Sequence, residues 1–150
     1  MEKSRTRAVI AAAAGLAIAI QFVPIRRDNP PVTTALTAPA PVMAIFRRAC
    51  YDCHSHETRW PWYSYVAPTS WLVVRDVHEG RRHLNLSAWS EYPPSDQQKK
   101  LLDIVDEVQK GDMPLWFYVP LHSEARLSPD DVNVLVGWAD SASAATPTNK

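Results

Sequence analysis

The amino-acid sequence predicts an all-α domain behind an apolar N-terminal segment. Three observations carry this reading. Apolar residues recur at spacings of three and four in several stretches, as they do along one buried face of a helix. Capping residues stand where those stretches begin and end. No run of alternating apolar and polar residues reads as a strand, and there is no internal repeat. The 150 residues suffice for one domain with a real core. Lys+Arg and Asp+Glu both number 16, so the formal charge is zero, and no basic excess points to nucleic acid. With 13 prolines and only 4 glycines, short helices joined by stiff connections are expected.

Taken in order, Lys3, Arg5 and Arg7 precede an uncharged stretch from Ala8 to Ile25. At about 1.5 Å per residue that stretch is roughly as long as a hydrocarbon core is thick. Residues 1–27 therefore read as a basic N-terminus and a membrane anchor spanning 8–25, with the basic end in the cytoplasm. A cleaved signal peptide is the alternative, with Ala17-Ile18-Ala19 as its A-x-A site. The anchor is preferred because Ile20, Phe22, Val23 and Ile25 prolong the apolar run before Arg26 and Arg27. Residues 28–41 form a Pro/Thr/Ala linker, expected to be an extended, semi-rigid spacer. The domain proper is expected over 42–140, and the small polar residues 141–150 read as a disordered tail.

Inside the domain, Val42, Ile45, Phe46 and Ala49 share one helical face, and Pro41 suits the first turn. A second helix is expected from Pro68 to about Arg82, with Trp71, Val74 and Val77 on its apolar face. A third has Ser95 as N-cap with Gln98 three residues on, a capping box. Its stripe is Leu101, Ile104, Val105 and Val108, and Gly111 is the C′ stop. The fourth opens at Ser128-Pro129-Asp130-Asp131, with a serine cap, a proline at N1 and two acids at the positive end of the dipole. Leu127 is placed to staple against Val132, and Leu135, Val136 and Ala139 continue the face, with Trp138 near its end.

The first of these helices runs directly into Cys50-Tyr51-Asp52-Cys53-His54. C-x-x-C-H is the attachment signature of c-type haem. Its two thiols can add across the two vinyl groups of one haem, and the adjacent His54 is placed to bind the iron as proximal ligand. Cys50 and Cys53 are the only cysteines, so none remains for a disulfide framework or a four-cysteine metal site. One covalent haem c per chain is expected, with a small helical shell wrapped around it. Covalent attachment in bacteria takes place outside the cytoplasmic membrane, in agreement with an exported chain. A cytosolic C-x-x-C would instead suggest thiol redox chemistry. Six tryptophans are many for this length and suit packing against a large flat ligand.

The iron's second face needs a partner, and the candidates are Met113, Met43, His56, His78, His83 and His122. Met43 precedes the motif on a helix face and reads as core. His56 is too close to His54 to reach around the ring. Met113 lies in Gly111-Asp112-Met113-Pro114, a loop after a helix. A thioether there can swing over the ring, and Pro114 stiffens the loop. Met113 is the preferred distal ligand.

By these residues the chain resembles the single-haem "haem-binding domain" family of bacterial c-type cytochrome-like proteins. The resemblance covers most of residues 45–140. It rests on C-Y-D-C-H-S-H-E-T-R-W-P-W-Y-S-Y-V-A-P-T-S-W (50–71), H-E-G-R-R-H-L-N-L-S-A-W (78–89), G-D-M-P (111–114) and H-S-E-A-R-L-S (122–128). It implies covalent haem c, an exported domain and a redox role, carried by Cys50, Cys53, His54 and Met113. The layout also looks like a small cytochrome c, in which the first and last helices cross. Such a crossing would bring Ile45 or Phe46 against Leu135 or Trp138.

Supporting roles follow by residue type. Pro61 or Pro68 is expected to offer its carbonyl to the second nitrogen of His54. Arg59, Trp60, Trp62, Tyr63 and Trp71 are expected to pack on the ring or bind its propionates. Arg75, Arg81 and Arg82 read as a solvated helix face or as a docking patch for an acidic partner. The function expected is that of an electron carrier rather than a catalyst. It is a monohaem cytochrome held at the bacterial inner membrane by its N-terminal segment, with the haem domain in the periplasm and redox proteins as partners. The alternatives are a peroxidase-like haem enzyme, a redox or gas sensor with a displaceable distal ligand, and a zinc site from Cys50, Cys53, His78 and His83.

Overall fold

The computed structural model describes residues 2–146. Among the described residues all regular structure is helical, with one isolated bridge between Thr34 and Ala88 in place of any strand. The N-terminal helix α1 (Glu2–Ala19) continues as a 3₁₀ turn over Ile20–Phe22 and buries none of its residues. It is long and apolar enough to be a membrane span or a signal sequence. The helix stops short of the expected limit at Ile25. Val23 is extended (φ −71°, ψ 115°), because the ring of Pro24 disfavours the helical conformation in the residue before it.

The segment expected to be a spacer is instead stitched to the domain. Thr33 and Thr34 N–H both donate to Ser87 O at 3.2 Å, and Leu36 N–H donates to Leu86 O at 2.8 Å. The Leu36 side chain is 5% exposed and belongs to the core. The prolines keep this stretch extended, and its non-proline N–H groups then pair with carbonyls of the turn at Leu86 and Ser87.

Helix α2 (Ala40–Ala49) buries Val42, Ile45 and Phe46 on the face expected from the spacing, with Pro41 in its first turn as expected. A single turn, α3 (Tyr51–His54), follows at once. Helix α4 (Thr69–His83) buries Ser70, Val74 and Val77. Trp71 stands one position off that face and is 38% exposed.

Helix α5 spans Pro94–Lys110 and buries Leu101, Ile104 and Val108. Its start corrects the expected capping box: Pro93 is the N-cap, Pro94 takes N1, and Ser95 is already helical. Gln98 serves another purpose, donating to Ser143 O at 3.3 Å. Gly111 ends the helix in the left-handed conformation (φ 75°), its N–H bonded to Glu107 O. That is the C′ geometry glycine adopts without a Cβ penalty.

Helix α6 (Pro129–Ala145) opens as expected. Ser128 Oγ accepts from Asp131 N–H at 3.1 Å, and Asp131 Oδ2 accepts from Ser128 N–H at 2.8 Å. The expected tail is in part helix, since α6 runs to Ala145 with Ser143 buried against α5. Residues 147–150 of that tail lie outside the described residues. Helices α5 and α6 pack along one another, and α2 crosses α6. At the crossing the rings of Phe46 and Trp138 meet edge to face, centroids 5.4 Å apart.

Candidate functional site

The helices leave a cavity of about 590 Å³ between α2–α3, the C-terminal half of α4, α5, the loop after α5 and the start of α6. Its volume falls in the range of cofactor pockets, roughly 300–1,000 Å³. Phe46, Leu84, Ile104, Val108, Leu127 and Leu135 give it apolar walls.

One wall is the C-x-x-C-H turn. Cys50 N–H caps α2 on Phe46 O at 2.9 Å, and His54 N–H closes α3 on Cys50 O, also at 2.9 Å. The three chemistry-bearing residues thus occupy i, i+3 and i+4 of one turn, the spacing that shares a helix face. All three line the cavity. Both cysteines are free thiols. Burial pushes each up to about 12, with the neighbouring thiol adding for Cys50 and the Asp52 carboxylate for Cys53. They are therefore unlike the low-pKa thiolates of disulfide exchange.

His54 is oriented from behind. Its Nδ1 lies 2.9 Å from Gly80 O and 3.1 Å from Leu84 O. Both partners are acceptors only, so Nδ1 carries the hydrogen and Nε2 keeps its lone pair. Burial pushes the imidazole below its ordinary value, against the two carbonyl bonds that favour its charged form. A buried, neutral imidazole with one nitrogen tied to carbonyls is the form that binds a metal. The carbonyls come from the last turn of α4, not from Pro61 or Pro68. Gly80 also lets α4 approach: a Cβ there would lie 2.6 Å from Cys53 O.

Two further residues hold this wall, one given no role by the sequence reading (Asp52) and one given another (Arg81). Asp52, one of the x positions, accepts from Arg59 N–H (3.0 Å), Nε (3.2 Å) and Nη2 (3.0 Å), and from the Tyr118 hydroxyl at 3.0 Å. It ties the motif to the chain that follows it and to the loop that carries Met113. Arg81, only 9% exposed in its side chain, donates to Ser55 O at 2.7 Å, to Asp28 O at 3.0 Å and to Thr58 Oγ1 at 2.9 Å. It is an internal clamp rather than part of a docking patch. Arg82 pairs with Glu79 on the surface.

Of the distal candidates, only Met113 and His83 line the cavity. His83 lies between Gly80 and Leu84, in the segment that holds His54, and its side chain is 68% exposed beside Glu79. Met113 enters from a different element, the loop after α5, whose first N–H groups fold back on Glu107 O. His56 is bonded to Pro31 O at 2.8 Å and to the Asn85 amide. His78 lies beside Asp28. His122 stacks on Tyr118 with centroids 4.0 Å apart, and Met43 packs on the core.

The five residues expected against the ring have other neighbours in the structure. Arg59 forks onto Asp52. The Tyr63 hydroxyl meets His122 Nε2 at 2.5 Å. Trp60 is half-buried, while Trp62 and Trp71 are 77% and 38% exposed. None of the five lines the cavity. The zinc constellation is not assembled either: among the described residues no group of three or more His, Cys, Asp or Glu side chains comes together for a metal ion.

A small all-α shell around an apolar cavity, with two thiols and a neutral, oriented imidazole on one wall, defines a haem-binding protein. The family comparison agrees. The chain matches the haem-binding domain model over residues 15–141, and it belongs to the haem-binding domain family. No curated protein and no solved structure matches it.

Proposed function

We propose that the chain is a membrane-tethered monohaem c-type cytochrome that carries single electrons between redox partners of the periplasm or the inner membrane. Cys50 and Cys53 would hold the group through thioethers, each S–H adding across one vinyl double bond with no atom lost. His54 Nε2 would take one face of the iron and Met113 the other. Bound, the haem supplies a one-electron iron couple. The chain's own residues orient the ligands, exclude water and close the loop over the site. Helix α1 would tether the domain, basic end in the cytoplasm and cavity on the far side.

The observation that carries this reading is Met113, which reaches the cavity of Cys50, Cys53 and His54 from a separate loop. A thioether there would supply the second protein ligand to the iron, which would favour electron passage over turnover, and Met/His ligation would raise the potential. A pyridine haemochrome spectrum of protein matured in a cytochrome c-competent host is expected to show thioether-linked haem. Its absence overturns covalent attachment. Met113→Ala is expected to abolish the weak sulfur-to-iron band of the oxidised protein and to lower the potential. An unchanged band removes Met113 as the ligand. Ready carbon monoxide binding to the reduced wild type would favour the enzyme or sensor alternative.

A further inference from the structure

The base of α1 is locked to one loop of the domain. The Gln21 side chain accepts from Ala67 N–H at 2.9 Å and donates to Ala67 O at 3.1 Å, fixing the backbone of that residue through both its amide and its carbonyl. Six residues on, Arg27 donates to Ser64 O at 3.1 Å and lies over the Tyr65 ring, 4.4 Å from its centroid. The loop between Pro61 and Pro68 is thus held at the level where the apolar helix ends. Around this joint the chain exposes large apolar side chains on both partners: Phe22 (80%) below the helix, and Trp62 (77%), Tyr65 (59%) and Val66 (45%) on the loop.

Scattered exposed hydrophobics are ordinary, but these flank a single joint. Trp62 and Tyr65 are also the residue types that sit at membrane–water boundaries, where an amphipathic ring is half apolar and half wet. Cations accompany them, as headgroup phosphates require: Arg26, 88% exposed in its side chain, and Arg27. Between helix and loop lies a polar-lined recess of about 190 Å³, edged by Gln21, Arg27, Tyr65 and Ser70. A polar recess suits the hydrated headgroup layer and not the hydrocarbon.

We propose that the loop Trp62–Ala67 is an interfacial anchor that beds in the phospholipid headgroup layer of the bilayer holding α1, so that the haem domain is seated on the membrane surface. The proposal rests on the tethered reading above. Its test separates the two. The full-length holoprotein is reconstituted into vesicles of phosphatidylethanolamine and phosphatidylglycerol that carry a photoreactive diazirine just below the headgroup, and adducts are mapped by peptide mass spectrometry. Adducts are expected on α1 and on the 61–68 peptide, the latter at least about tenfold above peptides of the exposed α5 face around Leu102. Trp62→Ser with Tyr65→Ser is expected to remove most loop adducts while α1 labelling and haem absorbance per chain stay unchanged. Adducts on α1 with none above background on 61–68 overturn the seat and leave the tether standing. Absence of adducts on α1 overturns both. Loop cross-links between two chains in place of lipid adducts would assign the patch to a second copy and overturn the seat.

Discussion

At the scale of single residues, the chemistry proposed for the cofactor sits in the motif, and the groups that hold the motif come from afar. Cys50, Cys53 and His54 are legible because their spacing is local and chemically specific. Gly80 is not, because its close approach to the Cys53 backbone, far away in the sequence, leaves no pattern beyond a glycine inside a helix. Asp52 is equally silent and Arg81 reads as a surface residue, because their partners are backbone atoms and side chains fixed only by the fold. The pairing of Arg59 with Asp52 is equally unmarked in the sequence. The contrast between two helical glycines is testable. Gly80→Ala puts a methyl 2.6 Å from Cys53 O and is expected to cost about 1–3 kcal/mol, with less haem retained per chain. Gly137→Ala meets nothing within 4 Å and is expected to stabilise by about 0.5–1 kcal/mol. Thermal melts and the haem-to-protein absorbance ratio check both.

At the scale of elements, the helices were readable from apolar spacing, and their ends only where a cap is unambiguous. Ser128 and Gly111 were found; the start of α5 was not, because Pro94 competes with Ser95 for the start and proline at N1 wins. The tail was misplaced because composition hides that Ser143 packs on α5. The α6 cap also sets an acid response. The Arg48 guanidinium, 2.6 Å away, and the Ser128 N–H hold Asp131 down to about 2 from an ordinary 3.8. A depressed carboxylate stabilises the fold fully above its unfolded value, and that contribution fades as pH falls from about 4 towards about 2. Unfolding midpoints are therefore expected to drop across that window in the wild type. Asp131→Asn is expected to be less stable at neutral pH and flatter in acid. A wild type as flat as the variant would remove Asp131 from the acid response.

At the scale of the whole molecule, the crossing of α2 and α6 and the docking of residues 28–38 decide stability. The crossing was legible by analogy of layout, and the structure brings Phe46 onto Trp138. Trp138→Ala is expected to cost about 2–4 kcal/mol and to loosen haem incorporation, read by chemical denaturation. The docked segment was illegible, because its pairing with 86–88 joins two irregular stretches with no periodicity to match. Leu36→Ala, in a slack spacer, would be silent; at a core position it is expected to cost about 2–3 kcal/mol. That docking has a kinetic consequence. Residues 28–38, if slack, would give the domain a leash of roughly 35 Å, enough to tumble and to present any face to a passing partner. Stitched down, they turn the leash into a bracket. In the tethered arrangement the cavity keeps one height and one attitude over the bilayer. Its encounters then become a two-dimensional search, open to partners that share the membrane plane or come down to its surface, and closed to those that need the domain to swing out and meet them.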